Sequence, residues 1–163
     1  MIKVNRVQGD ADKNFKVALK GIKGVLGKVG WFENAKYESG FQVAMAAAIS
    51  EYGWPQHNIP PRPMLRLTII REEAKWKRLI AAGVSSILKG NSTSRDVMEL
   101  LVDKAAGDVK DTISAIYEPP LKPGTIKARL SRRKDKKTIG RLTKPLIDTG
   151  MLLDSVLGKV EKP

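Results

Sequence analysis

Residues 64–116 read MLRLTIIREEAKWKRLIAAGVSSILKGNSTSRDVMELLVDKAAGDVKDTISAI, and the periodicity of this stretch decides the fold. Ile69, Trp76, Ile80, Val84 and Ile87 keep one helical stripe, while Arg71, Glu72, Lys75 and Lys77 occupy other faces. Gly90 and Asn91 stop this first helix, and Ser94 is the expected N-cap of a second. In the second, Val97, Leu101, Ala105, Val109, Ile113 and Ile116 recur at spacings of four and three. Two long helices joined by residues 89–93 predict a helical hairpin.

Working outward toward the N-terminus, residues 54–63 read WPQHNIPPRP, whose four prolines remove backbone donors and hold their neighbours extended. The segment is a stiff connector. Before it, the alanine-rich residues 40–52 are apolar almost all round, which predicts a helix buried on more than one side and ended by Gly53. Val29, Trp31 and Phe32 mark a strand within residues 25–32, and Phe15, Ala18, Leu19 and Ile22 mark a short amphipathic helix within residues 12–22. Beyond the hairpin, Pro119, Pro120, Pro123 and Gly124 break the pattern, and residues 118–144 read as a long, mobile basic surface loop. Residues 145–156 are apolar enough to return to the core, through a helical turn opened by Asp148 or Thr149 and then a strand reaching Val160. The expected architecture is one α+β domain over residues 1–163. In it a small antiparallel sheet packs against one buried Ala-rich helix and the long hairpin, with the basic loop outside.

With 163 residues, 42% apolar and 29% charged, the chain can bury a single core without crosslinks. Cysteine is absent, which excludes disulfides, thiolate metal sites and thiol nucleophiles. The first residues carry no apolar signal-like run, and the longest apolar run, residues 43–49, is far below the ~20 that a membrane span needs. No membrane partner is expected. A net charge of +13 favours polyanions and acidic protein surfaces. Much of it falls in one stretch, on Lys127, Arg129, Arg132, Arg133, Lys134, Lys136, Lys137, Arg141 and Lys144, opposed by Asp135 alone.

Chemistry-bearing patterns are weak. Gly21, Gly24, Gly27 and Gly30 invite a phosphate-loop reading, but the spacing is one residue too long and Val29 stands where a magnesium-binding hydroxyl is required. His57 is the only histidine, lies in the proline connector and has no serine or carboxylate at a partner spacing. Asp148 and Asp154 form a conceivable metal pair for a nuclease, although capping accounts for Asp148 more simply. Trp31, Trp54 and Trp76 could stack on bases, yet the basic stretch contains no aromatic residue. Neither a cofactor nor a catalytic residue is expected. The basic stretch suits two partners equally, the phosphates of DNA and an acidic protein neighbour.

Three segments carry a resemblance: VGWFENAKY at 29–37, residues 43–53 ending in Glu51-Tyr52-Gly53, and IPPRPMLR at 59–66, which holds Pro60, Pro61, Arg62, Pro63 and Arg66. In order and spacing they resemble the tail-completion and head–tail joining family of tailed bacteriophages. Similar proteins also close on a segment like PLIDTGML at 145–152 followed by Ser155. The resemblance covers roughly a third of the chain; the hairpin matches in arrangement only. It implies a non-enzymatic virion protein of the neck or tail, assembled in the host cytoplasm into rings, with other neck and tail proteins as partners and phage DNA as one further candidate. Met64 departs from the family, which often has an aromatic residue there, and the basic stretch has no counterpart. From a different class, the alternative is a sequence-nonspecific DNA-binding module.

Overall fold

A computed structural model describes residues 25–132 and 142–162 of the chain. Strand β1 (Leu26–Gly30) leads to helix α1 (Val43–Tyr52), a 3-10 turn (Pro55–His57) and the long helices α2 (Met64–Leu88) and α3 (Ser94–Ala115). Helix α4 (Pro123–Arg132), the short helix α5 (Met151–Asp154) and strand β2 (Leu157–Glu161) complete the order. The class is α+β, as expected. The amphipathic helix expected at residues 12–22 lies outside the described residues. No described helix is long and apolar enough to cross a membrane.

Helices α2 and α3 form the hairpin. Gly90, at φ 76°, turns the chain, and the N–H groups of Gly90 and Asn91 close the end of α2 on the carbonyls of Ile87 (2.9 Å) and Ser86 (3.0 Å). The cap of α3 is Thr93 rather than Ser94. Its hydroxyl accepts from the Asp96 N–H at 3.2 Å, while the Asp96 carboxylate accepts from the Thr93 N–H at 2.9 Å.

The buried face of α2 also differs from the expected stripe. Met64, Thr68 and Ile87 are buried, whereas Ile69 and Ile80 are 48% and 40% exposed. Thr68 can be interior because its hydroxyl lies 2.7 Å from the Met64 carbonyl and 2.8 Å from the Thr112 hydroxyl of α3. A polar pair satisfied across the seam is as compatible with burial as an apolar one.

Strands β1 and β2 pair antiparallel with Leu26 opposite Glu161, Lys28 opposite Lys159 and Gly30 opposite Leu157. The sheet lies directly on α3: a Cβ placed at Gly158 would stand 2.7 Å from the Val102 side chain and 2.8 Å from its backbone. Only glycine permits that approach. The core gathers Val43 of α1, Met64 of α2, Val109 and Ile113 of α3, then Leu146, Ile147, Leu152 and Val156.

Two further expectations need correction. Helix α1 buries one side only, the i, i+4 line Val43, Ala47 and Glu51, and leaves Met45 51% exposed. Its apolar residues outnumber the core positions open to it. Residues 118–144 are not one loop, because Pro123–Arg132 is helical and Leu142 is buried. Proline at the first helical position lacks an N–H that would have no partner there, so Pro123 starts a helix instead of interrupting one.

Candidate functional site

Two of the segments that carry the resemblance, residues 43–53 and 59–66, meet at the corner between α1 and α2. Helix α2 begins after Pro63, which has no side-chain acceptor for the unpaired N–H groups of the first turn. Glu51, from the last turn of α1, supplies it. Its Oε2 accepts from Met64 N–H (2.6 Å) and Leu65 N–H (2.9 Å), and its Oε1 accepts from Arg66 N–H (3.2 Å) and Arg66 Nε (2.9 Å). Arg66 Nη2 donates to the Glu51 carbonyl at 2.7 Å, which closes a ring around the corner. Burial works to raise the Glu51 pKa, but hydrogen bonds from Leu65, Arg66 and Met64 outweigh it and hold the carboxyl below its ordinary value. The positive end of α2 adds to the preference for an anion there.

The connector is fixed from both ends. Gly53 ends α1 at φ 77°, donating to the Ile49 carbonyl at 2.8 Å, and a Cβ at that position would stand 2.8 Å from the Pro61 nitrogen. Glycine is therefore required twice over. The Arg62 N–H donates to the Ser50 carbonyl at 2.7 Å. The Arg62 side chain is buried and donates to the carbonyls of Pro119 (2.9 Å from Nε, 2.7 Å from Nη2) and Pro120 (3.3 Å). Burial, and then the neighbouring Arg129 charge, lower its pKa from the usual arginine value. Arg62 thus clamps the segment after α3 onto the corner, and Pro60, Pro61 and Pro63 set its direction. Tyr52, by contrast, is 72% exposed, with Arg66 over its ring at 5.2 Å.

The expected basic contact set divides. Arg129 is buried: it donates to the carbonyls of Lys144 (2.7 Å), Pro145 (3.0 Å), Ile147 (3.2 Å) and Leu142 (3.3 Å), and its Nε is 3.6 Å from Asp148. It is an internal clamp and not a surface cation. Arg132 is exposed and pairs with Asp148 at 2.9 Å. Lys144 is half-buried, donating to the Ser114 carbonyl at 3.1 Å and standing 5.3 Å from the Tyr117 ring centroid. Lys127 is exposed. Arg133, Lys134, Lys136, Lys137 and Arg141 lie outside the described residues.

Asp148 is consumed by these arginines, which removes it from the metal pair considered with Asp154. Among the described residues no group of three or more His, Cys, Asp or Glu side chains is placed to hold a metal ion. The three tryptophans do not form a platform either. Trp31 donates to the Leu152 carbonyl (2.7 Å), Trp76 to Asp108 (2.8 Å) and Trp54 to Gln56 (2.9 Å), while His57 packs on Trp54 at 3.9 Å.

Sequence reasoning missed the clamps because backbone carbonyls, which every residue carries, receive both arginines. A signal for Glu51 does exist: a carboxylate one turn before a proline connector to a helix that has no capping side chain of its own. No family model, curated protein or solved structure matches the chain.

Proposed function

We propose that the protein is a non-enzymatic structural component of a tailed-phage virion, acting in tail completion or head–tail joining at the neck. One observation carries this reading. Four residues of the resemblance, Glu51, Gly53, Arg62 and Arg66, are tied by hydrogen bonds into one corner around the proline connector. The two helices that meet there leave Met45, Tyr52, Ile69 and Ile70 exposed. Exposed apolar side chains on a rigid framework suit a subunit interface, where little ordering entropy is lost on association.

Its partners would be neighbouring neck and tail proteins and further copies in a ring, assembled in the host cytoplasm. Lys127 is exposed to a DNA end in the neck, whereas Arg132, also exposed, is already paired with Asp148. The charge of +13 also favours the alternative, a sequence-nonspecific DNA-binding module.

The two readings separate on one experiment each. Phage deleted for this gene are expected to accumulate unjoined heads and tails under the electron microscope; joined, infectious particles would refute the proposal. A DNA-binding module would instead hold duplex DNA with affinity falling by about a thousandfold or more between low and moderate salt.

A further inference from the structure

Among the described residues, strand β1 is paired on one side only. The sheet is β1 and β2, and no backbone hydrogen bond joins the other side of Leu26–Gly30 to a described residue. That side faces a groove of about 490 Å³, lined consecutively by Lys28, Val29, Gly30, Trp31 and Phe32. A strand that offered only a face to the groove would contribute every second residue; within β1 Lys28, Val29 and Gly30 line it in succession, as an edge does, and Trp31 and Phe32 continue the wall beyond the strand. Most of the opposite wall is apolar, from Ala44, Ala47 and Ala48 of α1 with Leu65 and Ile69 of α2, and Glu51, Tyr52 and Arg66 close one end of it. A free strand edge beside an apolar trough is the geometry that accepts an added strand.

Charge selects the occupant. Lys28 and Lys159 lie directly opposite each other in the register, an arrangement that costs stability in a sheet. Both project away from α3, because the intervening glycines, Gly27 and Gly158, are the residues packed on Val102. Lys159 stands 4.1 Å from the Phe32 ring centroid, and Arg66, another lining residue, is more than half exposed. Two carboxylates answer these cations: Glu51, a lining residue that holds Arg66, and Glu161, in a solvent-accessible pair with Lys28 that contributes little and exchanges readily, so among the described residues Lys159 is left on the Phe32 ring with no carboxylate shown beside it. A second copy of a chain with charge +13 would bring more positive charge to the same place.

We propose that β1 is a docking edge for an extended segment of an acidic partner protein. The segment adds as a third strand, with alternate apolar side chains in the trough and alternate carboxylates on the Lys28 face, toward the end of the Lys159 side chain where it lies over Phe32. This goes beyond the virion reading and does not depend on it: the gene deletion could succeed while the docking test fails, and the reverse.

The test uses the full, isotope-labelled chain and synthetic peptides of about seven residues, long enough to pair with all of β1. One alternates valine with glutamate, the second alternates valine with lysine, and the third is the first with alternate backbone amides N-methylated. The valine–glutamate peptide is expected to shift the amide signals of Lys28, Val29 and Gly30 to saturation, with the other two at least about tenfold weaker. Reversing both exposed lysines, K28E with K159E, should transfer the preference to the valine–lysine peptide. Ala48→Arg, an exposed change that fills the trough, should weaken every peptide, and the charge-reversal pair decides the matter if that variant fails to fold. Equal binding of the lysine or N-methylated peptide would overturn the proposal, as would unchanged amide signals. Concentration-dependent self-association that shifts the same amides without peptide would overturn it in favour of a second copy.

Discussion

Replacing Glu51 with glutamine keeps the shape of the side chain and removes its charge. In the native corner four N–H donors converge on the carboxylate, two on each oxygen, at 2.6 to 3.2 Å. Glutamine must turn its own NH2 toward one of those pairs, so two charge-assisted hydrogen bonds are lost and donors face donors. At about 1.5–3 kcal/mol for each such bond, and by comparison with the breaking of a buried ion pair, the cost is about 3–5 kcal/mol. For a chain of this size that lowers the thermal midpoint by roughly 10 °C. Far-ultraviolet circular dichroism followed through a thermal scan at neutral pH reads the change.

The pH dependence adds a sign. The folded-state pKa of Glu51 is lowered, so its contribution is fully present above the ordinary glutamate value and is lost as pH falls from there through the folded value. The gap between native protein and E51Q should therefore narrow in acid. A glutamine variant melting within about 2 °C of the native protein at neutral pH, or a gap that widens as pH falls, would refute the account of the corner.

Gly53→Ala should cost about 2–4 kcal/mol in a denaturant titration, from the positive φ together with the contact on Pro61; a midpoint equal to the native one would show that the connector yields. The basic residues should divide by burial. Arg129→Leu strips the carbonyls around residues 142–147 of their donor and should lower stability by about 2–4 kcal/mol, whereas Lys127→Glu should change it by under about 0.5 kcal/mol, and equal losses in thermal scans would contradict that division.

The hairpin was legible because two apolar periodicities flank a Gly-Asn turn. Its exact buried face was not. Thr68 and Thr112 satisfy one another across the seam, and a pattern that counts threonine as polar places it outside. The exposure of Met45 on α1 was hidden for the opposite reason, since apolar composition records what could be buried and not how much core is available. Helix α4 was obscured by Pro123 and Gly124, which read as a break although proline suits a first turn. The corner residues were visible as a motif, but their roles were not: Arg62 and Arg129 turn inward to backbone oxygens that no sequence pattern marks.

The pairing of Leu26 with Glu161 also orders events in time. A chain emerging from the ribosome presents β1 before the hairpin and β2 after it, whereas helices α2 and α3 neighbour each other in sequence and can zip as soon as both have emerged. During synthesis, then, β1 waits for β2, and the hairpin is the scaffold on which β2 closes. An extended segment of the kind proposed to dock on β1, if present during synthesis, would meet β1 before β2 does.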